Sequence, residues 1–183
     1  MIVPYWERYD LIANTSLSGV GNTDMRSYLS NCKRIEEISS ILYQQLASDE
    51  AYDIKVREVF QKLSKDEKAH ARQIDLVLQS NENEIEVTEM IAGEKLNDAL
   101  TLAEDLCQQV QKENLNEENA LRLAVQMETQ FVKVHVNNAL HFHNLKLSEL
   151  FNKLGSEEEA HLNTLKKCLK WWHAERKLIL KGG

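Results

Sequence analysis

The sequence contains few of the residues that a β-rich or zinc-ribbon protein needs. Its 183 residues include six glycines and one proline, too few for the many turns of a β-sandwich or for a proline-rich linker. The three cysteines, Cys32, Cys107 and Cys168, form no CxxC pair, which excludes a zinc ribbon and a rubredoxin-type iron site. Their wide spacing and odd number favour a reducing compartment, where each serves as a small hydrophobic residue.

Positive charge and long apolar runs are also scarce. Lys and Arg total 22 against 29 Asp and Glu, a net charge of −7, which disfavours binding to nucleic acid or to an anionic membrane. No apolar run reaches the about 18 residues that a membrane span needs. Glu7, Arg8 and Asp10 lie where a signal peptide would be apolar. We therefore expect a cytoplasmic protein with no nucleic-acid partner and no membrane partner.

What the chain does have is apolar residues at helical spacing, with no strand signal, so we predict an all-α protein. At 43% hydrophobic residues it can build the core of one domain. We divide it into an N-terminal lead-in (1–22), a helical domain (23–178) and a tail (179–183). Five helices are predicted. The first runs from a cap at Asn22 or Thr23 to about Ala47, the second contains Val56–Leu78, and the third spans Thr88–Lys112. The fourth runs from a cap at Asn116 to about Phe142, and the fifth from near Asn144 to about Lys177.

An internal repeat organises these helices. The block from Phe60 to His70 matches the block from Phe151 to His161 at six of eleven positions, at an offset of 91 residues. The preceding helices align at an offset of 92, which places Glu36 against Glu128. The chain therefore consists of two copies of one helical hairpin, joined by residues 80–115.

Each repeat block carries a Glu-x-x-His motif, a spacing that puts both side chains on one face of a helix. Most of the four aligned glutamates lie on apolar faces, and burying four ionised carboxylates is prohibitive without compensation. Two divalent cations would neutralise the four charges, and the two histidines would add neutral nitrogen ligands. The candidate metal ligands are Glu36, Glu67, His70, Glu128, Glu158 and His161.

With this pattern the chain resembles the rubrerythrin-like branch of the ferritin-like superfamily over nearly all of residues 24–175. The resemblance rests on Glu36 with Tyr43, Glu67-x-x-His70, Leu121-x-x-Ala-x-x-x-Glu128 and Glu158-x-x-His161. It implies a ferritin-like four-helix bundle, made of two hairpins and a long helical crossover, around a carboxylate-bridged pair of iron ions, with manganese or zinc as other possible metals. In that family Glu67 and Glu158 would bridge the metals and each histidine would bind one metal. Glu36 and Glu128 would each contact one metal or both.

Some positions depart from the family pattern. Ser39 and Phe131 stand where rubrerythrins carry an additional glutamate, and His135 stands at the position that matches Tyr43. We interpret Tyr43 as a core residue whose hydroxyl bonds to a group near the ligands, with a redox role as the alternative. His135 is interpreted as a core imidazole or an outer contact, and not as a ligand.

The acids next to the ligands are assigned differently. Glu37, Glu157 and Glu159 point about 100° away from their neighbours and are expected to face solvent. Asp66 could pair with His70 four residues later, but it lacks apolar neighbours, so Glu67 is preferred as the ligand. Trp171 and Trp172 either pack the last helical turn or mark an interface.

Three functions are compatible with the sequence. The first is an oxidoreductase that reacts Fe(II) with H2O2 or O2, of the peroxide-scavenging or ferroxidase type, with an external electron donor. The second is iron binding without turnover, for delivery or storage. The third is an interaction module in which the metal stabilises the fold. The crossover helix has an apolar face that needs a partner, either the bundle or a second subunit, and we expect a homodimer or a larger homo-oligomer.

Overall fold

The computed structural model describes residues 25–79, 93–139 and 145–181. Within these ranges the chain forms five α-helices and no strand, which confirms the all-α prediction. They are α1 (Met25–Ser48), α2 (Ile54–Gln79), α3 (Gly93–Lys112), α4 (Glu117–Ala139) and α5 (Leu145–Lys181). In the part of the chain described, no helix is both long and apolar enough to cross a bilayer.

The helices pair as the internal repeat predicts. Helix α1 packs along α2, and α4 packs along α5, so each copy of the repeat is one antiparallel hairpin. The crossover helix α3 lies against α1 and α4, and α2 contacts α5. The apolar face of α3 is thus covered by the bundle of its own chain, with Leu96, Ala99 and Ala103 buried there.

Local side-chain bonds set the ends of the helices. Asp53 caps α2, because its Oδ1 accepts a hydrogen bond from the Lys55 amide at 2.8 Å. Asn116 caps α4 through a 2.9 Å bond from the Asn119 amide to its Oδ1, which confirms the prediction made for that residue. The predicted cap at Asn22 or Thr23, the start of the crossover helix at Thr88 and the end of the fourth helix near Phe142 lie outside the described residues.

The last helix is longer than the sequence predicted. Helix α5 ends at Lys181 rather than near Lys177. Residues 177–181 contain neither glycine nor proline, so nothing in the local sequence ends the helix earlier.

A pair of serines fixes the register of the first hairpin. Ser40 Oγ donates to the carbonyl oxygen of Ser64, and Ser64 Oγ donates to the carbonyl oxygen of Ser40, each at 2.8 Å. Ser40 lies one turn beyond Glu36, and Ser64 lies three residues before Glu67. The reciprocal bonds therefore hold these two glutamates at the same level of the bundle.

Candidate metal centre

All six side chains predicted as ligands lie inside the bundle. The four glutamates are 0% exposed, and His70 and His161 are 2% and 4% exposed. Helix α1 supplies Glu36, α2 supplies Glu67 and His70, α4 supplies Glu128, and α5 supplies Glu158 and His161. Six residues that are far apart in sequence thus meet at one place.

The six side chains form two overlapping groups. Within each group, one nitrogen or oxygen atom per residue lies within 4.8 Å of every other. One group contains Glu36 and His70, the other contains Glu128 and His161, and both contain Glu67 and Glu158. The shared members are the two glutamates that the resemblance assigns as bridging ligands. The individual ligand roles stay predictions.

The two histidines point the same nitrogen at the shared glutamates. His70 Nδ1 lies 3.0 Å from Glu67 Oε2 and 3.3 Å from Glu158 Oε1. His161 Nδ1 lies 3.0 Å from Glu67 Oε1 and 3.7 Å from Glu158 Oε2. The rings are stacked with centroids 5.5 Å apart. Glu67 and Glu158 therefore each place one carboxylate oxygen near His70 and the other near His161.

The opposite nitrogen of each histidine contacts an acid from the other hairpin. His70 Nε2 lies 3.1 Å from Glu157 Oε2, and His161 Nε2 lies 3.3 Å from Asp66 Oδ2. A carboxylate on the far nitrogen of a metal-binding histidine fixes its tautomer and ring orientation. The centre therefore has an outer pair of acids that follows the same two-fold pattern as the inner six residues.

The sequence does not predict this outer pair. Glu157 was expected to face solvent, yet only 40% of its side chain is exposed, and its Oε2 is buried against His70. The spacing along α2 suggests His70 as the partner of Asp66, but the histidine that Asp66 contacts is His161 on α5. The signal was present, because both repeats place an acid immediately before the glutamate of the motif. What the sequence could not show is that the two hairpins cross there.

Burial and mutual repulsion perturb the acids strongly. Burial, followed by the charge of Glu158, raises the pKa of Glu36 and of Glu128 well above the ordinary value. For Glu67, burial and Glu158 act in the same direction, but the bonds from His161 and His70 outweigh them and lower its pKa. The charged form is thus favoured at the shared position that touches both histidines.

The histidines respond in the opposite sense. Burial lowers the pKa of His161, but the bonds to Glu158 and Glu67 outweigh it and raise the pKa to about 10. The pKa of His70 is raised for the same reason, with Glu36 as an additional partner. Protons thus balance the buried acids when no metal ion does. Divalent cations in this site would replace those protons.

The donor set fits two small divalent cations. Carboxylate oxygens and imidazole nitrogens together are ligands for iron, manganese and zinc. Two such cations would match the four carboxylates in charge, so the charges of a loaded centre would sum to zero. The buried carboxylates and histidines therefore fit a metal site, while their chemistry alone does not select one of these metals.

Tyr43 contacts the centre from α1. Its hydroxyl donates to Glu128 Oε1 at 2.5 Å, and the side chain is fully buried. Burial and the charge of Glu128 raise the pKa of Tyr43 well above the ordinary value, so the phenol keeps its proton. The expected bond from this hydroxyl to a group near the ligands is thus present, and its partner is a candidate ligand itself.

The two positions that lack the additional glutamate of the family pattern are occupied by uncharged side chains. Ser39 is buried, and its hydroxyl donates to the carbonyl oxygen of Ile35 at 2.8 Å. Phe131 is buried in the core. The side chain of His135 lies outside the described residues.

Cys32 is also buried, and burial followed by the charge of Glu36 raises the pKa of its thiol, which suits a small hydrophobic residue and not a reactive thiol.

The chain matches a model of a known protein family. A family model described as Rubrerythrin matches residues 27–169, which is well over half of the chain. Neither the search of curated proteins nor the search of solved structures found a match.

Proposed function

Because the chain belongs to the rubrerythrin family, we propose that its buried centre binds two iron ions and oxidises Fe(II) with hydrogen peroxide or molecular oxygen. The observation that supports this most directly is the pair of overlapping buried groups that share Glu67 and Glu158. Two bound ferrous ions would supply one electron each to the oxidant. Hard anionic carboxylates favour the ferric product that results.

The residues of this chain have separate tasks in the proposed reaction. Asp66 and Glu157 hold the far nitrogens of the two histidines, so that both Nδ1 atoms keep facing the centre. Phe131, three residues after Glu128 on α4, and Tyr43, which contacts Glu128, are fully buried, and apolar side chains on the same faces as the ligands exclude bulk water. The Tyr43 hydroxyl, which keeps its proton, donates a hydrogen bond to Glu128 Oε1 and orients that carboxylate.

Stopped-flow mixing tests the proposed reaction. Protein loaded anaerobically with two equivalents of Fe(II) is mixed with H2O2 or with O2, and formation of the ferric product is followed by absorbance. We expect oxidation faster than that of free Fe(II) in the same buffer, and a loss of this advantage in Glu128→Ala. Glu37→Gln is the control, because Glu37 neighbours a candidate ligand but lies on the exposed side of α1. Oxidation no faster than that of free iron excludes the enzyme.

A second candidate function is iron binding without turnover, for delivery or storage. It is favoured by Ser39 and Phe131, which leave the centre without the additional glutamate that the family resemblance implies. In that case the protein would bind two ions per chain in equilibrium dialysis, while the stopped-flow traces would match free iron.

Further expectations from the sequence stay predictions. They are the external electron donor, the homodimer or larger homo-oligomer, and the cytoplasmic location. Sedimentation equilibrium measures the oligomeric state directly, and a monomer at micromolar concentration would contradict the expected homodimer.

A further inference from the structure

A row of aromatic rings leads away from the centre. Tyr43, whose hydroxyl bonds to Glu128 Oε1 at 2.5 Å, stacks on Phe60 with ring centroids 6.0 Å apart and planes 15° apart. Phe60 in turn contacts Tyr52, with centroids 6.5 Å apart. All three rings are 5% exposed or less. The row therefore joins the metal centre to the turn between α1 and α2 through the core.

At the far end of the row, Tyr52 contacts residues 115–117, and the same short segment is hydrogen-bonded to Trp172. Tyr52 donates its hydroxyl hydrogen to the carbonyl oxygen of Leu115 at 2.8 Å. Two residues later, Glu117 Oε1 accepts the Asp53 amide at 2.5 Å, and its Oε2 accepts the indole N–H of Trp172. The chain from Leu115 to Glu117 is thus bonded to Tyr52 on one side and to Trp172 on the other.

Trp172 is at the edge of the core and differs from its neighbour Trp171. Both rings are partly buried and pack against the core. The ammonium of Lys55 lies 4.1 Å from the centroid of Trp171, and a cation over the ring disfavours loss of an electron. The Trp172 indole instead donates to the Glu117 carboxylate, which accepts positive charge and a proton. The guanidinium of Arg176 lies 5.3 Å from the centroid of the Trp172 ring, farther than Lys55 lies from Trp171, and its charge is paired with that of Glu117.

The buried centre needs such a connection if electrons come from outside. Its four carboxylates are 0% exposed, so a reductant in solution does not reach them directly. The sequence contains no CxxC pair that would supply a rubredoxin-type donor. Tyrosine and tryptophan side chains can lose and regain one electron. Phe60 cannot, but it lies between Tyr43 and Tyr52 and contacts both rings.

We propose that Trp172, Tyr52 and Tyr43 form an electron-transfer route from the surface to the centre, a role that rests on the proposed redox function. Tyr43 gives one electron to the oxidised centre, and its phenolic proton moves to Glu128 Oε1. Trp172 returns an electron to Tyr43 through the intervening rings of Tyr52 and Phe60, which are not themselves oxidised, and Tyr43 takes its proton back. The indole proton of Trp172 moves to Glu117 Oε2 and returns when Trp172 is reduced. A one-electron reductant in solution restores Trp172. Per passage, the reductant loses one electron, the centre gains one, and the route is unchanged.

Pulse radiolysis tests the route without iron, on protein loaded with zinc, which neither gains nor loses electrons and displaces protons from the glutamates, so that Glu128 can accept the Tyr43 proton. Azide radicals, which oxidise tryptophan, generate an indolyl radical in a Trp6→Phe background. We expect the indolyl absorption to decay while the tyrosyl absorption grows, at a rate independent of protein concentration. Trp172→Phe and Tyr43→Phe should each lose this coupled signal. The matched controls Trp171→Phe and Tyr28→Phe, the latter a buried tyrosine on the same helix, should retain it.

Two results would overturn the route. One is coupled transfer that survives unchanged in Trp172→Phe, and the other is a tyrosyl yield in Tyr43→Phe equal to that in Tyr28→Phe. Phe60→Leu provides a further check, because it keeps every redox-active ring and removes only the stacking contact, so transfer should slow. Circular dichroism confirms that each variant is folded.

The proposed function can fail independently of the route. Iron oxidation by H2O2 in the absence of a reductant tests the centre alone, and Trp172→Phe should leave it unchanged. If radiolysis shows the route while iron is not oxidised, the proposed function is wrong and the aromatic transfer stands. If iron is oxidised while Trp172→Phe transfers normally, only the route is wrong.

Discussion

Replacing Glu36 by glutamine should have opposite effects on stability with and without metal. Glu36 is fully buried, and burial together with the charge of Glu158 raises its pKa. The folded state therefore disfavours the charged form, and ionisation costs stability as the pH rises from 4.5 through the folded pKa. In chelator at neutral pH, the glutamine variant removes this cost and should be more stable, by about 1.4 kcal/mol for each pH unit above 4.5, up to the folded pKa.

With metal the sign reverses. Glu36 belongs to one of the two ligand groups only, so the variant should bind about one ion per chain instead of two. A bound ion at a concentration of 100 times its Kd stabilises the fold by about 2.7 kcal/mol. For a domain of this size, that corresponds to about 5–10 °C in Tm. The variant should lose this share of the metal-dependent rise in Tm and keep the rest.

Differential scanning calorimetry with excess chelator and with saturating zinc or iron measures both effects, and elemental analysis of dialysed protein gives the stoichiometry. Glu37→Gln is the matched control, since its side chain is 53% exposed and its effect should stay within about 0.5 kcal/mol. A Glu36→Gln protein that is less stable in chelator, or that still binds two ions with the full rise in Tm, would refute the charge argument.

Three further predictions concern groups around the centre. Asp66→Asn should weaken metal affinity by about 10–100-fold, because it loosens the histidine that Asp66 contacts. Glu159→Gln, at an exposed position, should leave metal titrations unchanged. Equal metal affinities of the two variants would exclude a positioning role for Asp66. Metal loading should release protons, fewer as the pH rises, because the pKa values of two acids and two histidines at the site are raised, so these groups hold protons that the metal displaces. Calorimetry in buffers of different ionisation enthalpy counts the released protons, and zero release contradicts the assignment. Glu117→Gln should lower the urea midpoint by the equivalent of about 2–3 kcal/mol, because it weakens the charged bonds that join α4 to the end of α5; Glu118→Gln, on the same helix, should have a much smaller effect.

The repeat made most of the centre accessible from the sequence. A Glu-x-x-His motif in each copy, and one glutamate at matching positions in the preceding helices, identified all six residues that the structure brings together. Apolar neighbours at helical spacing then placed most of these acids on buried faces. Periodicity and a motif on a single helix are local properties, so they can be read from one chain.

The outer contacts could not be identified in this way. Glu157 and Asp66 lie one residue before the motif glutamates, about 100° away from them around the helix, and a single helix gives no reason to bury them. They reach the histidines because α2 and α5 pack against each other at that level. The stack of Tyr43 on Phe60 and the bonds of Glu117 likewise join helices that are distant in sequence.

By itself, the sequence determined the helical class, the two hairpins and the acids that need counter-charge, since these follow from spacing, repetition and the cost of burying charge. Only the tertiary structure decided which oxygen faces which nitrogen, which acids support the histidines and which rings touch. Those depend on how the helices cross and on their register, which packing and the reciprocal serine bonds fix across the bundle.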